Sequence, residues 1–204
     1  MPIRIEGMPY IIGCGLLALL LGRTRIKYVG LVPLLFTTWF FRDPVREVPA
    51  QPGTVLSPAD GTVLEVSQTT EERVGACTKV AIFMSVFNVH VNRAPLDGEV
   101  IDKIYKPGAF RVASLGKKTE ANERMILYIK YPAGIVRVDQ VAGLIARRIH
   151  CWPQKGDRLT KGERFGLIRF GSLLECYIPR EVQVIARKGD KVYAGVTVLG
   201  RMPS

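Results

Sequence analysis

The bond between Gly171 and Ser172, where the apolar run Arg164-Phe165-Gly166-Leu167-Ile168-Arg169-Phe170 ends, is where this chain could do chemistry on itself. A serine hydroxyl beside a strained peptide bond can attack the carbonyl that precedes it, cutting the chain and leaving a new reactive terminus. A Gly-Ser pair is also ordinary turn chemistry. The choice depends on what else the chain brings to that bond: a base for the hydroxyl proton and a group to orient the base. There are two histidines. His90 leaves the apolar stretch Phe83-Met84-Ser85-Val86-Phe87-Asn88-Val89 just ahead of a proline turn at Pro95, and alone it reads as a structural histidine. His150, in the basic run Arg147-Arg148-Ile149-His150-Cys151-Trp152, reads as a surface or packing residue. Asp60, in Ser57-Pro58-Ala59-Asp60-Gly61, reads as a turn residue like its twin Asp97.

The elements that must position these residues are short. From Thr54 onward the chain alternates β-type runs with glycine turns. Strands are expected at Thr62 to Val66, Lys79 to Met84, Glu99 to Tyr105, Met125 to Lys130, Gly134 to Ala142, Arg164 to Phe170, Cys176 to Ile178, Val182 to Ala186 and Gly195 to Leu199. This spacing predicts a mainly β fold, a sandwich or barrel of short hairpins. Pro58-Ala59-Asp60-Gly61-Thr62-Val63 recurs as Pro95-Leu96-Asp97-Gly98-Glu99-Val100, each placing an Asp-Gly turn ahead of a strand. A second turn recurs as Lys155-Gly156-Asp157, Lys161-Gly162-Glu163 and Lys188-Gly189-Asp190.

The amino-terminal part is different. Tyr10 to Gly22 and Tyr28 to Phe41 are apolar runs joined by the basic link Arg23-Thr24-Arg25-Ile26-Lys27. At ~1.5 Å per residue, about 14 residues reach roughly 21 Å against a hydrocarbon core of about 30 Å. A shallow or re-entrant hairpin keeps the cations on one side, and Trp39 fits an interfacial anchor. The sequence therefore predicts a membrane-associated helical hairpin over residues 1 to 41, a proline-rich linker over 42 to 53 and a β domain over 54 to 204. With 29 Lys+Arg against 18 Asp+Glu the net charge is +11, which suits a polyanionic partner, and the hairpin favours an anionic leaflet over nucleic acid. Arg23, Arg25, Lys27, Arg42 and Arg46 are the cations expected to face that leaflet. The four cysteines, Cys14, Cys77, Cys151 and Cys176, form no Cys-x-x-Cys pair. They read as reduced thiols of a chain facing the cytoplasm, and no metal is expected.

Five blocks, in order and at the right approximate spacing, carry a resemblance. They are Ser57-Pro58-Ala59-Asp60-Gly61, Phe83 to Pro95, Ala121-Asn122-Glu123-Arg124, Gln140 to Ile149 and Arg169-Phe170-Gly171-Ser172. Together they resemble the short branch of the phosphatidylserine decarboxylase proenzymes over almost the whole chain. That resemblance implies self-cleavage between Gly171 and Ser172 and a pyruvoyl cofactor made from Ser172. It implies His90 as the base oriented by Asp60, and conversion of phosphatidylserine to phosphatidylethanolamine and CO2 by a heterodimer of the two cleavage products. The pyruvoyl ketone would act as the electron sink, and the enzyme would sit on the cell membrane with its β domain facing the cytoplasm. Lys106, Arg111, Lys117 and Lys118 are candidates for the lipid phosphate. A β fold with open edges can also pair with a second copy of itself.

One departure matters. The longer bacterial branch has a second histidine three positions after the one matching His90, and here that position is Arg93. Two other readings stay open at this level. An uncut, membrane-tethered β-sandwich binding module would leave Ser172 a turn residue. A serine hydrolase using Ser172, His90 and Asp60 would lack the usual Gly-x-Ser-x-Gly elbow.

Overall fold

The computed structural model describes residues 2–110, 121–143, 149–169 and 172–203. The chain divides into two compact units, Met1–Val45 and Arg46–Ser204.

In the first unit a short 3-10 turn, Ile5–Gly7, leads into helix α1 (Met8–Leu21), and helix α2 (Tyr28–Phe40) returns antiparallel to it. The helices touch closely because Gly30 has no side chain: a Cβ there would meet the backbone of Ala18. Thr37 Oγ1 donates to the Pro33 carbonyl at 2.8 Å, one turn after the proline removes a helix donor. The hairpin is closed at its base by Asp43, whose amide donates to the Pro2 carbonyl at 2.9 Å and whose carboxylate lies 3.6 Å from Arg4. Leu19 and Leu20 are nearly four-fifths exposed, and α1 buries none of its residues. At 14 and 13 residues, no helix among the described residues is long and apolar enough to cross a membrane.

The second unit is the predicted mainly β fold. Eight antiparallel strands curl into a half-barrel in the order β13-β2-β3-β11-β7-β6-β5-β9. They are β2 (Gly61–Glu71), β3 (Gly75–Met84), β5 (Gly98–Lys106), β6 (Arg124–Tyr131), β7 (Gly134–Ala142), β9 (Arg158–Leu159), β11 (Ser172–Pro179) and β13 (Lys191–Val192). One three-stranded sheet joins β1 (Thr54–Leu56), β14 (Val198–Arg201) and β12 (Gln183–Val184). Another joins β4 (Val91–Arg93), β10 (Arg164–Ile168) and β8 (Ile149–Cys151). The period of two decides which face of the large sheet is apolar. Ile82 and Met84 of β3, Leu174 and Cys176 of β11, and Val138 and Ala142 of β7 face one core, while Leu173 and Glu175 face the other way.

Both repeated turns have a physical cause. In all three Lys-Gly-acid turns the glycine takes a left-handed φ, +95° at Gly156, +79° at Gly162 and +96° at Gly189. The acid closes each turn with the same pair of bonds. The Gln154 amide donates to the Asp157 carboxylate at 2.7 Å while the Asp157 amide donates to the Gln154 carbonyl at 3.1 Å; Thr160 with Glu163 and Arg187 with Asp190 repeat this. The Asp-Gly turns instead carry the chain between sheets, from β1 to β2 and from β4 to β5. Their glycines are required because a Cβ at Gly61 would strike the Phe83 carbonyl and one at Gly98 the Lys130 carbonyl.

Most expected strands differ in their ends, and β1, β4, β8, β9 and β13 are additional; two of the differences bear on the Gly171-Ser172 bond. β11 starts at Ser172 rather than Cys176, because Leu173, Leu174 and Glu175 already pair with β3 on one side and β7 on the other. β10 ends at Ile168, and Phe170 and Gly171 lie outside the described residues.

Candidate active site

Ser172 is the first residue of β11 and is fully buried. Its Cα faces Met84 across one ladder and Ala142 across the other, so the strand leaves its backbone little freedom. The hydroxyl donates to Met84 Sδ at 3.4 Å. A thioether is a weak acceptor and leaves the oxygen lone pairs uncommitted. Gly171, the other half of the predicted cleavage bond, lies outside the described residues, as do Arg111, Lys117 and Lys118.

His90 is also fully buried, immediately before β4. Its carbonyl accepts from the Ile168 amide at 3.4 Å, which ties it to the strand that leads towards Ser172. Nδ1 lies 2.9 Å from the Asn88 carbonyl. A carbonyl can only accept, so Nδ1 carries the hydrogen, and in the neutral ring Nε2 keeps the lone pair. His90 and Ser172 are therefore both anchored around the segment from Met84 to His90.

Asp60 ends the turn before β2, and its carboxylate is nearly buried. Oδ2 accepts from Arg46 at 2.7 Å and Oδ1 from the Ala194 amide at 2.7 Å. Its loop is fastened to β4 by the Arg93 amide, which donates to the Pro58 carbonyl at 3.0 Å. β2 pairs with β3 and β3 with β11, so Asp60 lies two strand spacings, about 10 Å, from the start of β11. Arg46, one of the cations expected to face the leaflet, ion-pairs with the nearly buried Asp60 and lies 5.7 Å from the Tyr193 ring.

Around Ser172 the polar groups are amides. Asn92 Nδ2 approaches Met84 Sδ at 3.7 Å, and Asn92 Oδ1 accepts from Gln140 Nε2 at 2.9 Å. Gln140 also donates to the His150 carbonyl at 3.2 Å, and its own Oε1 is a buried acceptor with no partner among the described residues. Gly166 makes room for this amide, since a Cβ there would strike it. Asn122 Nδ2 donates to the Ala142 carbonyl at 2.8 Å, holding the strand end opposite Ser172. His150 is half-buried beside these groups, with Nε2 accepting from Arg169 Nη2 at 2.7 Å. Arg93, at the position of the second histidine of the longer branch, donates to the Gly162 carbonyl at 3.0 Å.

Asn92 and Gln140 stood inside the sequence blocks without a role. Their signal was a neutral amide beside a valine, Val91-Asn92 and Gln140-Val141, but the partner is fixed only by which strands pair. The candidate phosphate ligand Lys106 ends β5 and is exposed.

The opposite face of the same strands is charged. Asp139 accepts from Arg137 at 2.7 and 2.6 Å and from Arg124 at 3.0 Å. Glu175 lies 3.2 Å from Arg124 and 2.8 Å from Lys79. Arg137 reaches Glu71 at 3.0 Å, and the Tyr128 hydroxyl donates to Glu71 at 2.8 Å. Burial alone would raise the Glu71 carboxyl, but the Tyr128 hydroxyl, the Val74 and Arg73 amides and Arg137 together hold it below its ordinary value. Burial and that carboxylate push Tyr128 up to about 12.

The model of the phosphatidylserine decarboxylase family matches residues 34–200. Several relatives are named phosphatidylserine decarboxylase proenzyme. That of Geobacter metallireducens is 46% identical over 99% of this chain and 97% of its own length. That of Syntrophus aciditrophicus is 45% identical over 96% and 95%, and that of Symbiobacterium thermophilum 51% over 83% and 80%.

Proposed function

The chain belongs to the phosphatidylserine decarboxylase family, and on that premise we propose that it is a self-processing enzyme that converts phosphatidylserine to phosphatidylethanolamine and CO2. The observation that carries the reading is the placement of Ser172 at the start of a strand laddered on both sides, its hydroxyl resting on a weak acceptor. The Ser172 oxygen adds to the Gly171 carbonyl carbon, and the peptide C–N bond breaks to leave an ester. Loss of the Ser172 α proton expels the Gly171 carboxylate and leaves dehydroalanine. Water then converts that residue to a pyruvoyl group and releases ammonia. His90 Nε2, the lone-pair nitrogen of the neutral ring because Nδ1 donates to the Asn88 carbonyl, takes the hydroxyl proton. Asp60, whose carboxylate accepts from Arg46 and from the Ala194 amide, is the acidic group of the site. With no histidine at position 93, His90 serves both self-cleavage and the later proton transfers.

The residues present suit such a group. It would be the covalent first residue of β11, so the ladders to Met84 and Ala142 hold it without a loop, and Asn92 Nδ2, which is 3.7 Å from the weak acceptor Met84 Sδ, offers a donor beside it. A pyruvoyl ketone supplies the electron sink for loss of CO2. The two products, 1–171 and 172–204, would stay together as a heterodimer. We further read residues 1–41 as the membrane-associated part and 42–53 as linker, with the β domain on the cytoplasmic side. Exposed Leu16, Leu19, Leu20, Val32 and Leu35 support this, and Arg42, 3.7 Å over the Trp39 ring, suits an interface.

The test is the intact mass of the wild type and of Ser172→Ala, with decarboxylation of phosphatidylserine vesicles measured on both. Two fragments in the wild type, the smaller beginning at position 172 with a pyruvoyl mass, and CO2 release from the wild type alone, are expected. A folded wild type that stays uncut would overturn the reading in favour of a binding module.

A further inference from the structure

We propose that Asn92 Nδ2 donates to the Ser172 oxygen as that oxygen leaves Cβ in the second step of self-cleavage, with Gln140 positioning the donor, an inference that rests on the function proposed above and deepens it. A row of bonds with a single direction leads to Ser172. The His150 carbonyl can only accept, so the Gln140 amide turns Nε2 towards it, at 3.2 Å. The same Nε2 donates to Asn92 Oδ1 at 2.9 Å. That leaves Asn92 Nδ2 turned the other way, to Met84 Sδ at 3.7 Å, and the Ser172 hydroxyl meets the same sulfur at 3.4 Å. Asn92 is fully buried and Gln140 is 1% exposed. Gly166 packs against the Gln140 amide so closely that a Cβ there would strike Nε2. A backbone carbonyl therefore fixes, through two side-chain amides, which end of Asn92 is presented at the sulfur that Ser172 also meets.

Neither donor at that sulfur is well matched. A thioether is a weak acceptor, and Nδ2 has a second hydrogen with no acceptor among the described residues. The mismatch ends when Ser172 changes character. As a hydroxyl, Oγ donates to Met84. Once Oγ has taken the acyl group of Gly171 it has no hydrogen, and it then lies beside the sulfur as one acceptor beside another. The partner it needs is a donor, and the donor already held at the same sulfur is Asn92 Nδ2. Met84, unbranched and with three rotatable side-chain bonds, can yield its place without moving the strand. The need is greatest in the elimination. The α C–H bond of Ser172 breaks, its proton passing to His90, which is neutral again after handing the hydroxyl proton to the Ser172 nitrogen. The electron pair forms the Cα=Cβ bond, and the Cβ–Oγ bond breaks with its pair staying on Oγ, which departs as part of the Gly171 carboxylate. Negative charge thus grows on Oγ in a buried site, where a donor oriented beforehand lowers the barrier most.

Freshly synthesised wild type, Asn92→Leu and Gln140→Met, each shown to be folded by its melting transition, are followed by intact mass with and without hydroxylamine, which cuts an ester and leaves an amide. A chain stalled at the ester yields, with hydroxylamine, the 172–204 fragment with an intact serine terminus in place of the pyruvoyl one. Asn92→Leu is similar in size and has no donor. It is expected to form the pyruvoyl fragment about 100-fold more slowly than the wild type, as on loss of one oxyanion donor, with the serine-ended fragment the main product of hydroxylamine. Gln140→Met leaves Asn92 in place but unheld. It is expected to slow the same step about fivefold, the effect of one hydrogen bond, and it decides the matter where Asn92→Leu does not fold. A folded variant that makes the pyruvoyl fragment at the wild-type rate overturns the inference. So does a slow one from which hydroxylamine releases nothing, because the block then precedes the ester. A folded wild type that yields neither fragment overturns the functional reading, and this inference with it.

Discussion

The two faces of strand β11 are built from opposite materials. On one, Ser172 meets a thioether and a small alanine, with the Asn92 and Gln140 amides behind them. On the other, Glu175 joins Asp139, Glu71, Arg124, Arg137 and Lys79 in a partly buried ionic network. The charged face fastens the strand to β3, β6 and β7. The neutral face leaves a hydroxyl poised, with no strong acceptor holding its proton. Strength and reactivity are thus assigned to alternate residues of one strand, and each can be disturbed separately.

The sharpest break is Ser172→Ala. It should abolish self-cleavage completely while unfolding stability, measured in urea, changes by no more than about 1 kcal/mol, because the lost bond is to sulfur. A large loss of stability would show that the neutral face is structural as well. The converse is Asp139→Ala, which removes the carboxylate shared by Arg124 and Arg137, leaving them Glu175 and Glu71, and should cost about 3 kcal/mol by the same measurement. Molecules that still fold should cut themselves; an uncut but folded variant would mean that the two faces are coupled.

A pH titration sharpens the contrast. Glu71 has a folded pKa below its ordinary 4.5, so its contribution is present above that pH and is lost as pH falls through the folded value. Melting temperature in acid should therefore fall more steeply for the wild type than for Glu71→Gln. Parallel curves would remove Glu71 from the account. The smallest expected effect is on thiols. Burial raises Cys77 and Cys176 and pushes Cys151 up to about 11, so at pH 8 a thiol reagent should modify half-exposed Cys14 well before the other three. Equal rates would show that the β unit opens readily.

The sequence made some of this readable. Alternating apolar runs announced the β fold, and the Lys-Gly-acid turns were visible as repeats because their bonds are local. Ser172 and His90 stood out through the ordered blocks. Three features were not readable because they depend on pairing between distant strands. The first is the start of β11 at Ser172, whose buried Glu175 is matched by Arg124 and Lys79 from other strands. The second is the contact from Met84 to Ser172, 88 residues apart in the chain. The third is Arg46, whose charge looked membrane-directed from its neighbours in sequence and is claimed by Asp60, 14 residues on.

The strand order has a consequence for the sequence of events in the life of the molecule. Residues 172–204 supply β11 to the middle of the large sheet, β13 to its edge, and β12 and β14 to the sheet that also holds β1. A fragment ending at 171 would lack a central strand, so Ser172 meets its neighbours only after the carboxy-terminal segment has threaded home. Self-cleavage at that bond would then act as a proofreading step. Every molecule that carries the new terminus would have certified its own assembly before becoming active, and no misfolded chain would expose a reactive ketone to the cell.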